Sequence, residues 1–320
     1  MVRVTITPEG MFAYYRKSGY ALFTPQIKSR TWTRPLFAQI SVTERCNLNC
    51  PFCYLNPSPE KGRMWHVEEL MELVKFLDSW KVFGVAYGGG EPFTHRDLSD
   101  IVRRTWKETE LDVSVTTNGF AASKRQIQQI EGYAGEVRVS IRSLENCLVL
   151  ERFLNKKFDL GVNLLLMKGN TPLLEEIIRK CIEMGVRDFL INSFLAMGRG
   201  IQHAEWEPEE EDYLHIGKNL EKSRNEATIK ISGRMATALK RLTSLKFIPF
   251  EDEKRGRVIA ITVDRKVKPS SLSEESYPFN KPEEIATIFE KKIASQRLTS
   301  NIGGVSTMFK FLRDQEYRGG

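Results

Sequence analysis

The chain has 320 residues, 41% of them hydrophobic, so it can bury a large core as one main domain with an extension. Its 48 basic and 41 acidic residues are interspersed, and the net charge of +7 favours a mixed solvated surface, with nucleic acid or an acidic substrate as the lesser alternative. No secretory signal opens the sequence and no apolar run approaches a membrane span, so we expect a cytoplasmic protein with reduced thiols.

Hydrophobic periodicity predicts strands that alternate with helices over most of the first two thirds of the chain. The predicted strands are 37–42, 82–87, 111–116, 137–141, 162–167 and 189–193. The predicted helices are 67–80, 97–109, 123–130, 148–156 and 172–184. This alternation predicts an α/β fold with a parallel sheet and right-handed crossovers. Ligands of such sheets bind at the carboxyl ends of the strands.

Three of the five cysteines, Cys46, Cys50 and Cys53, fall within eight positions directly after the first of these strands. Their spacing suits thiolates that wrap one corner of an iron–sulfur cube, and the absence of a fourth cysteine nearby leaves one iron open to a ligand. A zinc site is the alternative and would have to recruit His66 or His95, because zinc usually takes four ligands. A disulfide is a weaker alternative in a reducing compartment.

The pattern CxxxCx(aromatic)C, with Phe52 as the aromatic residue, resembles the signature of the radical S-adenosylmethionine (radical SAM) enzymes. The resemblance implies one [4Fe-4S] cluster whose open iron binds the amino and carboxylate groups of S-adenosylmethionine. An electron from an external donor of flavodoxin or ferredoxin type would then cleave this cofactor to methionine and a 5′-deoxyadenosyl radical that abstracts hydrogen from substrate. The resemblance also implies a partial (β/α)6 TIM-like barrel with parallel strands.

Further elements of the family stand at the next two predicted strand ends. Gly89, Gly90 and Glu91 resemble the GGE element that holds the methionyl amino group, although a glycine run alone most often marks a tight turn. Asn118 lies in a Thr-Asn-Gly sequence that is similar to a family element beside the cofactor. An ordinary Asn-Gly turn is an equal alternative there.

The fourth predicted strand ends in Ser140, which in relatives contacts the ribose or the methionine part of the cofactor. Many relatives continue with Asp-Gly after the next residue, whereas this chain has Arg142 and Ser143, so the substrate role of the loop stays open. Arg152 matches the place of an arginine that pairs with the cofactor carboxylate in some relatives. A solvated helix charge is the alternative for Arg152.

Two features, one after the fourth predicted strand and one after the sixth, are candidates for contact with the cofactor or the radical. Leu195 belongs to an apolar tip, 195–197, that could flank adenine or could be part of the core. Cys147 could lie near the radical and donate a hydrogen atom or an electron, if its surroundings make the thiol reactive. Cys181 lies in a helical pattern where a small buried hydrophobe is expected.

The region after residue 205 changes character, with an acidic helix start at 205–212 and a hairpin at 258–269. It resembles the cap of the SPASM and twitch branch without that branch's auxiliary-cluster cysteines, since no cysteine follows Cys181. We therefore expect an N-terminal extension at 1–35, a radical SAM partial barrel at 36–204 and a small, metal-free α+β C-terminal cap at 205–320.

The sequence thus predicts radical hydrogen abstraction from a peptide, a protein or an amino-acid-derived molecule. This choice follows Gly198-Arg199-Gly200 and the hairpin, which the peptide-modifying branch shares. A small metabolite, a lipid or tRNA is the alternative substrate. A protein that keeps the cluster without turnover, as a regulator or carrier, is the alternative class.

Overall fold

The computed structural model describes residues 2–7, 10–16, 20–25, 33–58, 60, 62–223, 225–242, 248–250 and 257–294. The strands are β1 Val2–Thr7, β2 Gly10–Tyr15, β3 Tyr20–Pro25, β4 Phe37–Thr43, β5 Gly84–Gly89, β6 Asp112–Thr117, β7 Glu136–Ser140, β8 Asp159–Leu166, β9 Asp188–Ser193, β10 Thr228–Ser232, β11 Ile248–Phe250, β12 Val258–Ile261, β13 Lys266–Lys268 and β14 Tyr277–Pro278. The α-helices are α1 Val67–Ser79, α2 Leu98–Glu108, α3 Lys124–Ile130, α4 Thr171–Glu183, α5 Glu210–Ser223, α6 Gly233–Leu242 and α7 Glu284–Ile288. Short 3-10 helices occupy Pro92–Thr94, Glu145–Arg152 and Gly198–Trp206, and a π-helix occupies Phe289–Ala294.

The main sheet has the strand order β11-β10-β9-β8-β7-β6-β5-β4-β12-β13-β14, and it does not close on itself. All neighbours from β11 to β12 run parallel. Helices between the strands provide the crossovers, as the sequence predicts, and all six predicted strands are present. The α/β fold with a partial, TIM-like barrel is therefore confirmed.

One face of the sheet packs on the helices and forms the core. In β4, Ala38, Ile40 and Val42 are buried while the residues between them are only partly so. Helix α1 buries Leu70, Met71, Leu73, Val74 and Leu77 against this layer, because apolar residues at helical spacing share one side of the helix. The opposite face of the sheet is called the inner face below.

The predicted helix at 148–156 is wrong. The chain instead forms the 3-10 helix Glu145–Arg152, in which the N–H of Cys147 donates to the carbonyl of Leu144 and the N–H of Phe153 to that of Leu150. These bonds span three residues rather than four. Asn155 then adopts a φ of 58°, a left-handed conformation that a continuing α-helix does not contain.

The described strands after residue 205 join the same sheet at both ends of its parallel part. Strand β10 pairs with β9, and β12 pairs with β4 before turning into the predicted hairpin with β13. Helix α5 begins with Glu210, Glu211 and Asp212, as the acidic run predicts. Whether 205–320 is a separate cap stays a prediction, and 243–247, 251–256 and 295–320 lie outside the described residues.

The three N-terminal strands form an antiparallel sheet of their own, within the region predicted as an extension. Tyr14 contacts the barrel: its hydroxyl donates to Asp112 at 2.5 Å and its ring stacks on Phe83 with centroids 5.3 Å apart. Both partners lie at the amino ends of barrel strands. The cysteines lie at the opposite, carboxyl ends of the strands. Among the described helices, none combines the length and apolar character that crossing a bilayer requires.

Candidate functional site

The three cysteines lie in the loop that leaves the carboxyl end of β4. Cys46 is 7% exposed, Cys50 and Cys53 are half-buried, and all three are free thiols. The N–H of Cys53 donates to the carbonyl of Cys50 at 3.3 Å, which makes the second half of the loop a tight turn. The loop thus presents its thiols at the edge of the sheet where ligands bind.

Gly89 and Gly90 bring the end of β5 directly against this loop. Gly89 has a φ of 117°, and a Cβ there would come within 2.5 Å of the Thr43 carbonyl oxygen. A Cβ on Gly90 would overlap the carbonyl of Arg45. The N–H of Gly90 donates to the Thr43 carbonyl at 2.8 Å. Only glycine allows this backbone approach at both positions.

Glu91 is 1% exposed, and its carboxylate joins two strand ends. Oε1 accepts from the Thr117 hydroxyl at 2.6 Å and from the N–H of Phe93 at 3.1 Å, and Oε2 accepts from the N–H of Asn118 at 2.7 Å. Burial raises the pKa of this carboxyl, and the three donors oppose the rise. Because a carboxylate has about four acceptor sites, Oε2 keeps capacity for one further donor.

Asn118 connects the end of β6 to the cysteine loop. Its side-chain Nδ2 donates to Asn47 at 2.9 Å and lies 4.0 Å from the sulfur of Cys46. Its Oδ1 accepts from the N–H of Phe120, and Gly119 has a φ of 78°, so the Asn-Gly turn is present as well. The Asn-Gly turn is therefore present, and a contact of Asn118 with the cofactor stays a prediction.

Arg199 belongs to this site, although the sequence analysis assigns it no contact with the cysteine loop. Its N–H donates to the carbonyl of Cys53 and its Nε to the carbonyl of Cys50, both at 2.9 Å, while Nη1 contacts the carbonyl of Pro57. Gly198 precedes it with a φ of 56°, and a Cβ there would overlap Cys53 and Tyr54. The Gly-Arg pair after β9 is the only feature of the sequence that could have indicated these contacts.

Ser140 ends β7 on the inner face and is half-buried. Two residues on, Arg142 reaches the underside of the cysteine loop, where its guanidinium carbon lies 5.4 Å from the centroid of the Phe52 ring. Its Nη1 donates to the carbonyls of Ile141 and Asn163 at 3.0 and 3.1 Å. The arginine that replaces the family's aspartate is thus part of the site.

Burial and the neighbouring charges have opposite effects on the thiols of the loop. Burial raises the pKa of the Cys46 thiol, and it raises the pKa of Cys50 against the opposing charges of Arg142 and Arg199. The N–H of Leu48 points at the Cys46 sulfur at 3.4 Å. Cationic groups and N–H donors around thiols are the environment that favours thiolates and metal–sulfur ligation.

The Radical SAM superfamily model matches residues 40–212, more than half of the chain. The chain belongs to the radical SAM superfamily. A radical SAM enzyme holds a [4Fe-4S] cluster and S-adenosylmethionine, and it uses them for radical chemistry. It also needs an electron donor and a substrate.

Curated relatives of this radical SAM enzyme include a probable GTP 3′,8-cyclase of Methanococcus maripaludis strain C5, 30% identical over 160 residues that make up 50% of this chain and 49% of the relative. The GTP 3′,8-cyclase of Aquifex aeolicus is 35% identical over 136 residues, 40% of this chain and 42% of that protein. The chain spans about half the length of the curated relatives it matches.

Two solved structures share the fold of this radical SAM enzyme. Streptococcus suis SuiB bound to precursor peptide SuiA matches with a TM-score of 0.67 and 15% identity, over 86% of this chain and 69% of that one. The enzyme anSMEcpe with bound AdoMet and the Cp18Cys peptide matches with a TM-score of 0.60 and 15% identity, over 82% of each chain. At these identities the likeness shows the fold alone.

The residues of the loop fit the cluster that a radical SAM enzyme holds. Cys46, Cys50 and Cys53 supply three free thiols. Within the described ranges no three His, Cys, Asp or Glu side chains are close enough together to bind a single metal ion. A four-iron cluster does not require this, because each thiolate binds a different iron. Gly89, Gly90 and Glu91 line the adjoining strand end.

Two other predicted cofactor contacts lie further out on the rim. Arg152 is exposed, and its Nη1 lies 3.5 Å and 3.4 Å from the carbonyls of Gly119 and Ala122 after β6. Leu195 is half-buried in the segment after β9. Their contacts with the cofactor stay predictions.

Cys147 is not brought to the cysteine loop. Its side chain is fully buried, and its sulfur lies 3.9 Å from that of Cys181 in α4. Burial raises the pKa of both thiols. In this structure a substrate has no access to Cys147, and both cysteines behave as core residues.

His95, considered as a zinc ligand, has both ring nitrogens engaged. Its Nε2 lies 2.9 Å from the Trp65 carbonyl, and its Nδ1 accepts from the N–H of Asp97 at 3.1 Å. A zinc ligand needs a free ring nitrogen. The hydrogen bonds of His95 therefore stabilise the turn after Glu91.

Proposed function

We propose that this radical SAM enzyme removes a hydrogen atom from a peptide, a protein or an amino-acid-derived molecule that lies on the inner face of the sheet. The cluster and S-adenosylmethionine supply the radical chemistry when they are bound. The chain's own residues hold the cofactors at the strand ends and orient the substrate below them. The observation that carries the proposal is the character of the inner face.

Uncharged and mostly small side chains occupy inner-face positions of β4, β5, β6 and β9. They are half-buried and follow from the strand register, and they include Gln39, Ser41, Ala86, Ser114, Thr116 and Asn192. Their amides and hydroxyls both donate and accept hydrogen bonds. Such a surface matches the amide groups of a peptide or the polar groups of an amino acid.

The charges on the inner face also favour this substrate class. Arg138 donates to Asp188 at 2.7 Å and to Glu136 at 2.6 Å, and Lys230 donates to Asp188 at 2.8 Å. A triphosphate would need several cations to receive its charge. Because Arg138 and Lys230 are already neutralised by carboxylates, a substrate with few charges fits this face better.

The open sheet gives such a substrate room. The terminal strands β11 and β14 do not pair with each other, so among the described residues the sheet is left open between these two edges. An extended peptide can enter through a lateral opening, whereas a small ligand has no need of one. SuiB and anSMEcpe, which share the fold, were crystallised with peptides, and this adds support by analogy.

GTP is the second candidate, because the two curated relatives reported above, both named GTP 3′,8-cyclase, are 30% and 35% identical to this chain over the aligned residues. The alignments cover at most half of the chain, so the substrate of these relatives comes to this chain only as a candidate. We also propose that the electron donor is a flavodoxin or a ferredoxin.

The two candidates are separated by following deuterium. The enzyme is reconstituted anaerobically with iron and sulfide, reduced with dithionite and supplied with S-adenosylmethionine. It then receives either peptides from cells grown on deuterated amino acids or ribose-deuterated GTP. We expect peptides to stimulate formation of 5′-deoxyadenosine and to transfer deuterium into it.

Deuterium transfer from GTP and none from peptides would contradict the proposal. If neither peptides nor GTP transfer deuterium while 5′-deoxyadenosine still forms, the radical SAM chemistry stands and the proposal of a peptide substrate is contradicted. Cys50→Ala is the control that should abolish 5′-deoxyadenosine in every arm, because it removes one of the three thiolates.

A further inference from the structure

Arg142 is a half-buried cation at the mouth of the barrel. One of its terminal nitrogens, Nη1, donates to the carbonyls of Ile141 and Asn163, and its guanidinium carbon lies over the Phe52 ring. In the part of the chain that the structure describes, no carboxylate is paired with it. The described groups whose charges act on it are Cys50 and Cys53.

This lack of a carboxylate partner distinguishes Arg142 from two other cations of the inner face. Arg138 and Lys230, deeper on the same face, each contact the Asp188 carboxylate directly. A guanidinium that loses water without gaining an anion is costly, so buried cations are normally paired. The arrangement at Arg142 is balanced only when negative charge resides on the cysteine side of the site.

A four-iron cube on three thiolates supplies that charge. The assembly is anionic, and reduction adds one more negative charge to it. A cation that contacts Phe52, between Cys50 and Cys53, and interacts with the charges of both stabilises the reduced state more than the oxidised one, because the attraction grows with the charge. Net charge and surroundings are among the features by which a protein sets the reduction potential of a cluster.

We propose that Arg142 is the counter-charge of the cluster and that it raises the reduction potential of the Cys46, Cys50 and Cys53 site. It is a positioning residue that acts through the cluster rather than on substrate. The proposal depends on the radical SAM chemistry of this site and is independent of the substrate class. Arg199 adds a second positive charge near Cys50, but it also holds the loop, so Arg142 is the cleaner residue to test.

The experiment is a redox titration of the reconstituted enzyme, followed by electron paramagnetic resonance without substrate. The variants are Arg142→Lys, Arg142→Met, Arg142→Gln and Arg142→Asp, and the control is Arg179→Gln, which removes the same charge from an exposed position of α4. We expect Arg142→Lys to titrate close to the parent. The Met and Gln variants should shift to more negative potential, the Asp variant should shift furthest, and the control should not shift.

An unchanged midpoint in the Met and Gln variants, at full iron content, would overturn the proposal. So would a lysine variant that behaves like the neutral ones, because donor geometry rather than charge would then be responsible. If the neutral variants fail to take up iron, the iron content of the lysine variant becomes the test. Iron uptake by Arg142→Lys alone supports a role of the positive charge. Failure of every Arg142 variant to take up iron refutes that role. A weaker binding of S-adenosylmethionine with no change of potential would reassign Arg142 to ligand binding.

Discussion

Arg199 donates from its Nε to the carbonyl oxygen of Cys50 at 2.9 Å, across 149 positions of sequence. Its backbone N–H donates to the carbonyl of Cys53 at the same distance. One residue after β9 therefore fixes both ends of the turn that carries two of the three thiols. The spacing of those thiols depends on the far side of the sheet as well as on the loop itself.

Arg199→Lys should lower the iron bound per chain after reconstitution. Lysine keeps the positive charge but cannot form the guanidinium fork that contacts Cys50 and Pro57 together. The lost bonds amount to about 2 kcal/mol, taking about 1 kcal/mol each. Iron and sulfide analysis, with Arg179→Lys as an exposed control, measures the effect. Full iron content in Arg199→Lys would show that charge alone holds the loop.

Gly90→Ala should disrupt cluster binding, whereas Gly88→Ala should not. A Cβ at Gly90 would overlap the Arg45 carbonyl, so the cysteine loop must move away from β5. A Cβ at Gly88 meets nothing within 4 Å. We expect a loss of iron and of the visible absorption of the cluster in the first variant only. Equal iron in both variants would mean that the loop accommodates the displacement.

The positions of the strands, and the placement of the cysteines at a strand end, could be predicted from the sequence because both depend on neighbouring residues in the chain. Alternation and helical spacing identify elements of about five or more residues, and strand ends in a parallel sheet meet at one edge. Ser123 illustrates the local case: its hydroxyl and the Gln126 side chain form the capping box that begins α3. Glu91 and Asn118 are brought together by the same parallel order.

The contacts that a single sequence could not predict are those between distant elements. Cys147 follows Ser140 in the chain, which suggested the site, but the 3-10 helix turns its side chain towards α4 and Cys181. The roles of Arg142 and Arg199 likewise depend on which side of the loop each strand end approaches. No periodicity encodes that approach, because loops follow the packing of the elements that they connect.

Cys147→Ala should cost stability and leave turnover intact. The thiol fills core space against Cys181, so its removal leaves a small cavity and should cost about 1–2 kcal/mol. The formation of 5′-deoxyadenosine and the conversion of substrate should persist at temperatures where the variant is folded. Urea unfolding and product analysis measure the two effects. Loss of substrate conversion in a stably folded variant would support the hydrogen-donor role instead.

The stability of the barrel should decline in acid because of Asp188. Burial disfavours its charge, but Arg138 and Lys230 outweigh burial and hold the pKa of this carboxyl down, at about 2. An unfolded aspartate has a pKa near ~3.9, so the folded state favours the ionised form. The resulting stabilisation, on the order of 2 kcal/mol, is complete above about pH 4 and is lost as the pH falls towards about 2.

Urea unfolding of the apoprotein between pH 7 and pH 2.5 tests this assignment. Asp188→Asn should be destabilised at neutral pH, because it leaves Arg138 and Lys230 without their shared carboxylate. Its deficit relative to the parent should shrink as the pH falls below about 4, since the parent then loses the same interaction. Glu176→Gln, at an exposed position of α4, should follow the parent throughout. A deficit that stays constant across this range would show that the ion pairs do not set the pH dependence.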